Sequence, residues 1–298
     1  MLKKIGSGRV TLTVDSGCGN MLVKDVMTKE VKWAEVPGTR AEALELLRKL
    51  NASAIPVVKR GTDELVGMVT LRRLFEKPDE DQLAMLVDRD VPRISPNDKL
   101  KDAAKHMVNL FARRLPVLEN GKLVGIITVR DIIYRAIATM DLERPVEDYM
   151  RPHILTMWEG TPLKAAVEII DLAGFRGLPV INEKGDLVGI IDDSDIAKIS
   201  ELEVDSKMSQ MAGRSEGDSW TWDSEARMYI TKRKLKIPNK LVKDVMTKEL
   251  VTVTRKTSVS KAAQLMKQNK VEQAPVITAE GKLAGLVRDI DLLRALTD

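Results

Sequence analysis

The chain has 298 residues, enough for about two domains with a sizeable core, and its apolar content of 44% is that of an ordinary globular protein. Its 48 basic and 44 acidic residues are interspersed and leave a net charge of +4, which reads as solvated surface and does not by itself argue for a nucleic-acid partner. One cysteine, Cys18, and two histidines, His106 and His153, exclude an intramolecular disulfide and a Cys/His metal cluster, and no apolar run approaches the roughly 18 residues of a membrane span.

Aromatic residues make up only 3%, so Leu, Ile, Val, Ala and Met must fill the core. The N-terminus, Met1-Leu2-Lys3-Lys4-Ile5-Gly6-Ser7, lacks the apolar block of a signal peptide. A cytoplasmic chain without membrane contact is expected. Residues 1–20 form an extension. Val10–Val14 in it has the pattern of a short strand, and Asp15–Asn20 has turn chemistry.

A signature follows, Leu22-Val23-Lys24-Asp25-Val26-Met27-Thr28-Lys29-Glu30. It recurs unchanged at Leu241–Glu249, and more loosely as Val146-Glu147-Asp148-Tyr149-Met150-Arg151-Pro152. After each copy comes a β-rich piece such as Leu250–Val253, then a helix start: Asn97-Asp98, Gly160-Thr161-Pro162 or Lys256-Thr257. Asp98, Thr161 and Thr257 are expected as N-caps, with Pro162 at the first helical position. Apolar residues then recur at i, i+3, i+4 and i+7: Leu100, Ala103, Ala104 and Met107; Leu163, Ala166, Val167 and Ile170; Val259, Ala262, Ala263 and Met266. This spacing predicts amphipathic helices with one buried stripe.

A Pro-Val strand, a turn, a second strand beginning Gly-apolar-apolar and a last helix close each unit. The fullest copy runs from Leu115-Pro116-Val117 to Thr128-Val129-Arg130-Asp131-Ile132. The loops Glu119–Lys122 and Glu183–Asp186 predict hairpins. The interval from helix start to Pro is the same in three repeats (Asp98 to Pro116, Thr161 to Pro179, Thr257 to Pro275). It is one residue shorter in the first (Thr39 to Pro56), the most divergent copy. The fold class is therefore α/β: four β-α-β-β-α repeats at 21–87, 88–144, 145–203 and 239–298. Units this small are marginal alone, so each should pair with a neighbour.

Residues 204–238 interrupt the fourth repeat's approach. Ser219–Trp222 and Arg227–Thr231 flank a turn-like Asp223–Glu225 and predict a hairpin. Trp220 and Trp222 would pack it on the body or offer a partner-docking patch. The basic run Lys232–Lys236 reads as a solvated strand edge, with a nucleic-acid contact as the alternative.

The Asp-Val-Met-Thr opening, the Leu-Pro-Val strand and the Gly-Ile-Ile-Thr-x-x-Asp-Ile closing resemble the CBS (cystathionine-β-synthase) domain. Four copies without a catalytic domain resemble the γ subunit of AMP-activated protein kinase and its prokaryotic relatives. The resemblance implies pairing of repeat 1 with 2 and of 3 with 4, as a disc with ligand clefts between repeats. It implies AMP, ADP or ATP as ligand, with S-adenosylmethionine second, and no obligatory cofactor.

On their own, Thr128 and Asp131 make a helix cap. The resemblance adds a second role, Asp131 holding ribose hydroxyls. Asp195 and Asp291 repeat the position, whereas repeat 1 has Arg73, which accepts no hydrogen bond. The threonine varies to Thr70, Asp192 and Arg288; Asp192 would repel a phosphate and Arg288 attract one. The residues before each Pro-Val line the implied cleft. They are Arg113, Arg114, Leu115 and Pro116; Arg176, Gly177, Leu178 and Pro179; and Gln273, Ala274 and Pro275, after Glu272. Ile154 would line it after the third opening. Arg113, Arg114 and Arg176 could fork onto phosphate, or pair with carboxylates.

No Ser/His/Asp set, phosphate-binding Gly loop or catalytic carboxylate pair is present, so a non-catalytic sensor acting on a protein partner is expected. Repeats 2 and 3 are the expected sites of occupancy. A nucleic-acid regulator, an empty scaffold and a homodimer are the alternatives kept open.

Overall fold

In the computed structural model the Pro-Val segment becomes the middle strand of a three-stranded sheet in repeats 1, 3 and 4, and one strand of a two-stranded sheet in repeat 2. The structure describes residues 21–77, 79–173, 177–192, 195–196, 199, 201–210 and 227–298. Val10–Val14, Cys18, Arg176, Trp220 and Trp222 lie outside the described residues.

Repeat 1 comprises α1 (Val23–Val26), β1 (Ala34–Val36), α2 (Arg40–Lys49), β2 (Ala54–Lys59), β3 (Leu65–Thr70) and α3 (Leu71–Glu76). β1 runs parallel to β2, and β3 returns antiparallel. Repeat 2 comprises α4 (Leu83–Leu86), α5 (Leu100–Asn109), β4 (Arg114–Glu119), β5 (Lys122–Thr128) and α6 (Val129–Arg135). A single bridge between Ile94 and Val117 stands in for its first strand. Repeat 3 has β6 (Met157–Trp158), α7 (Leu163–Ala173), β7 (Gly177–Ile181) and β8 (Leu187–Asp192).

The insertion supplies β9 (Glu201–Gln210) and β10 (Arg227–Lys236). These pair antiparallel over their whole length, with Arg227–Thr231 opposite Ser206–Gln210; Ser219–Trp222 and Asp223–Glu225 of the expected hairpin lie outside the described residues. In the register Glu201 falls opposite Lys236 and Gln210 opposite Arg227. Repeat 4 comprises β11 (Val253–Thr254), α8 (Val259–Asn269), β12 (Gln273–Ile277), β13 (Leu283–Arg288) and α9 (Asp289–Leu292).

The opening signature does not pack on its own repeat. Thr28 of repeat 1 bridges Ile126 of repeat 2, and Asp88 of repeat 2 bridges Met68 of repeat 1. Arg151 bridges Leu286, and Thr247 bridges Ile190. Repeat 2 thus opens with α4, within the segment assigned above to repeat 1.

This exchange explains two sequence features. Pro56 lies opposite Met68, whose backbone N–H and C=O bond outward to Asp88 at 2.9 and 2.8 Å. The missing proline N–H therefore costs the ladder nothing there. Pro116 opposite Ile126 and Pro179 opposite Ile190 follow the same rule. The strand glycines mark close approach. A Cβ on Gly67 would come within 2.1 Å of the Asp88 carbonyl oxygen, and one on Gly285 within 2.5 Å of that of Arg151.

α2 starts where expected, after its N-cap Thr39, whereas α5, α7 and α8 start one residue later. α5 begins after Lys99 and α8 after Ser258, whose hydroxyl accepts from Lys261 N–H at 3.3 Å. The residues ahead of the helices are held extended by bridges to other openings: Leu22 with Lys99, Pro162 with Leu241 and Pro145 with Ser258. Pro162 is therefore not in the first helical turn. Asp98 instead accepts from Ser95 N–H, and Thr257 from Thr254 N–H.

The chain divides into two units, Met1–Pro152 with Val251–Ala279 and Ala284–Asp298, and His153–Leu250 with Glu280–Leu283. The first holds a core in which the α5 stripe (Leu100, Ala103, Ala104, Met107) and α6 (Ile132, Ile133) pack with α8 (Val259, Ala262, Ala263, Met266). Val23, Val26 and Met27 join it, while Leu83 and Leu86 close the core of repeat 1. In the second unit Leu163, Ala166 and Ile170 pack with Val242 and Met246.

Candidate functional site

Strand β5 ends at Thr128, the N-cap of α6, and the expected reciprocal cap is formed. Asp131 Oδ2 accepts from Thr128 N–H at 2.9 Å and from its hydroxyl at 2.6 Å. The exchanged opening adds what the sequence reading missed. Thr28 Oγ1 donates to Asp131 Oδ1 at 3.3 Å, and Arg135 stands 3.5 Å from the same oxygen. Arg135 also donates to the carbonyls of Val26 and Met27, which fixes the opening over the helix start. Oδ1 is thus the lightly engaged oxygen of a nearly buried carboxylate.

The second unit repeats the arrangement. Asp195, 5% exposed, accepts from Asp192 N–H at 3.2 Å and returns its own N–H to Asp192 Oδ1 at 3.0 Å. Thr247 Oγ1 donates to Asp195 Oδ1 at 3.2 Å, the role Thr28 plays at Asp131. The unchanged recurrence of Asp-Val-Met-Thr at both places was the available signal. The exchange of openings that brings each threonine to an aspartate was not visible in it.

Repeat 4 differs. Arg288 forks onto Asp291 at 2.8 and 2.9 Å, and Arg151 reaches it at 3.3 Å. Burial would raise the Asp291 carboxyl, but hydrogen bonds and charge from Arg288 and then Arg151 hold it below its ordinary value. Asp291 is therefore saturated by arginine and does not present free acceptors to a ribose. In repeat 1, Arg73 N–H donates to Thr70 Oγ1, and its side chain stands 3.9 Å from Glu76.

Arg113, expected at a phosphate, is committed elsewhere. It forks onto Asp289 at 2.7 and 3.1 Å and reaches Glu272 at 3.0 Å, with Arg130 on the other oxygen of Glu272. The cause is a matched position. Arg113 and Glu272 both precede the Pro-Val strand and both accept a backbone bond from the first residue of the closing helix. Burial, the largest influence, pushes the Asp289 carboxyl up against the bonds from Arg113. Arg114 donates to Ser53 Oγ at 2.8 Å.

The strand residues are placed for the core. Leu115 and Ala274 are fully buried, and Leu178 is 2% exposed. Pro116, Gly177, Pro179 and Pro275 are also buried, so these segments can meet a ligand only through backbone. Gln273 and Ile154 are half-buried, and His106 and His153 are exposed. Among the described residues no group of three His, Cys, Asp or Glu could hold a metal ion, and no helix is long and apolar enough to cross a membrane.

Residues 23–80, 83–137, 146–201 and 242–298 each match the family model of the CBS domain. A crystal structure of an uncharacterized conserved protein from Pyrococcus horikoshii superimposes with a TM-score of 0.68 at 34% identity, covering 93% of this chain and 100% of that one. Protein MJ1225 from Methanocaldococcus jannaschii, described as a candidate archaeal homologue of g-AMPK, superimposes with a TM-score of 0.65 at 20% identity, covering 92% and 99%. In sequence, MJ1225 is 31% identical over 196 residues, 60% of this chain and 70% of its own length.

Proposed function

The chain belongs to the CBS domain family, and on that premise we propose that it is a non-catalytic sensor of an adenosine-containing ligand. The clefts that take it are those built on Asp131 and Asp195. The observation that carries this reading is the Thr–Asp pair at each, Thr28 with Asp131 and Thr247 with Asp195, bonded at 3.3 and 3.2 Å. A carboxylate accepts only, and two adjacent ribose hydroxyls are the matching donors. The threonine bonds are long enough to be exchanged for shorter ones.

Arg113 is spent on Asp289 and Glu272, so recognition at Asp131 rests on the nucleoside more than on the phosphate chain. AMP, ADP and ATP should therefore bind within a narrow range of one another, and S-adenosylmethionine is the remaining adenosine ligand to compare. Occupancy reaches a protein partner only through its differential affinity for two arrangements of the chain. Arg135, which holds the carbonyls of Val26 and Met27 beside Asp131, ties the opening to the cleft and is the element a ligand would reset.

Calorimetry with AMP, ADP, ATP and S-adenosylmethionine is the test. Asp131→Ala removes the ribose acceptor, and charge-assisted hydrogen bonds contribute about 1.5–3 kcal/mol each, so affinity at that cleft should fall by about ten- to a hundredfold. Loss of the cap should cost only about 1 kcal/mol of stability. An unchanged affinity in a folded variant returns Asp131 to capping alone. Heat with none of the four ligands leaves the scaffold reading.

A further inference from the structure

We propose that the cleft at the end of repeat 4 is a site for a phosphate-type dianion and excludes nucleosides. A cavity of about 240 Å³ is lined there by Arg151, Arg288, Arg294, Asp291, Tyr149 and Phe111, among others. It is smaller than the roughly 300–1,000 Å³ of sites that take drug-sized ligands. Three guanidinium groups face one carboxylate, so the lining carries a charge of two positive units beyond the pair that Asp291 neutralises.

The two properties have one cause. Asp291 takes a forked bond from Arg288 at 2.8 and 2.9 Å, a further bond from Arg151 at 3.3 Å and the Arg288 backbone N–H at 3.3 Å. Its lone pairs are filled, so a ribose has nothing to donate to. The arginines are not filled in return. Each guanidinium carries five N–H donors, and one carboxylate cannot satisfy two of them. Arg294 forms no ion pair among the described residues and lies with its guanidinium carbon 5.9 Å from the centre of the Tyr149 ring. An oxyanion with several acceptors on one centre suits this fork geometry, and a neutral nucleoside does not.

Phe111 forms the exposed rim. It is 81% exposed and has a φ of +51°, a conformation disfavoured for a bulky side chain. The matching turns of repeats 1 and 4 place Asn51 and Lys270 there, at φ +48° and +56°.

Inorganic phosphate titrated calorimetrically into the full chain is the test, with the Asp131→Ala/Asp195→Ala variant as background so that the nucleoside clefts are silent. Binding should persist in that background and weaken by about tenfold on adding Arg294→Gln, which breaks no ion pair. Adenosine should give no heat in the background, and should bind once Arg151→Thr and Arg288→Thr recreate the Thr–Asp pairing. Absence of phosphate binding in a folded background overturns the proposal, as does an affinity indifferent to Arg294→Gln. Adenosine binding in the background that is lost on Asp291→Asn would make this a third nucleoside cleft. None of these results bears on adenosine at Asp131, which is read from the parent chain.

Discussion

One arginine decides how two repeats meet. Arg113, the residue before β4, reaches Asp289 and Glu272 of repeat 4, and Asp289 is 3% exposed. Replacing Arg113 by Met leaves that carboxylate buried without its counter-charge, which costs about 3 kcal/mol for pairs of this kind. The Asp289 carboxyl already sits above its ordinary value, and without Arg113 it moves further up. A raised folded-state value means that the folded state holds more protons, so stability falls as pH rises from the unfolded value through the folded one. Urea unfolding of Arg113→Met should therefore show a smaller loss in mildly acidic than in mildly alkaline buffer. The double variant Arg113→Met/Asp289→Leu should recover most of it; a loss equal at both pH values would contradict the assignment. Among the candidate site residues, Asp131 and Asp195 were legible because their spacing from Thr128 and Asp192 is a local property of a helix start. The fate of Arg113 was not, because its partners lie more than a hundred and fifty residues away.

At the scale of elements, the exchanged opening accounts for the glycine that begins the apolar half of each second strand. Gly67, Gly125, Gly189 and Gly285 lie under the openings of other repeats, with Asp88, Thr28, Thr247 and Arg151 carbonyls within 2.1 to 3.1 Å of a built Cβ. Gly67→Ala has no flexible side chain to push aside, because the obstruction is the Asp88 backbone at 2.1 Å. It should destabilise by about 1–3 kcal/mol, as overpacking does, and lower the thermal midpoint. A neutral result would mean that α4 and its bridge are loosely held. The turn glycines Gly61, Gly121, Gly185 and Gly281 serve a different need: their φ values of +73° to +80° lie in the left-handed region and the space around them is open. Sequence reading identified the strand and the turn. It could not separate a glycine needed for φ from one needed for close approach, since both look alike in a β-rich run.

For the whole molecule, the core of the first unit is shared between repeats 2 and 4, not confined to a pair of sequence neighbours. Ile132, Ile133 and Ile137 pack with Val259, Ala262 and Ala263. The buried Ser260 hydroxyl accepts from Leu142 N–H at 2.9 Å and donates to the Ile137 carbonyl at 3.2 Å. A chain ending at residue 144 would expose the α6 stripe and leave these backbone groups without the serine. Such a fragment should self-associate, with an elution volume and light-scattering mass above those of a monomer. A monodisperse monomer as stable as the full chain would show that repeats 1 and 2 need no cover.

By itself the sequence determined the number of repeats, the helix–strand–strand order at the centre of each, the apolar stripes of the helices and the aspartates Asp131, Asp195 and Asp291 that follow the second strands of repeats 2, 3 and 4. All of these depend on neighbours a few residues apart, where periodicity and capping chemistry act. Only the tertiary structure decided which repeat each opening joins, that Thr28 and Thr247 reach aspartates, and that Arg113, Arg151 and Arg288 are bound to carboxylates. Those outcomes depend on which chemically similar copy comes within hydrogen-bond distance of another. Four near-identical units offer many such pairings, and local pattern does not choose among them.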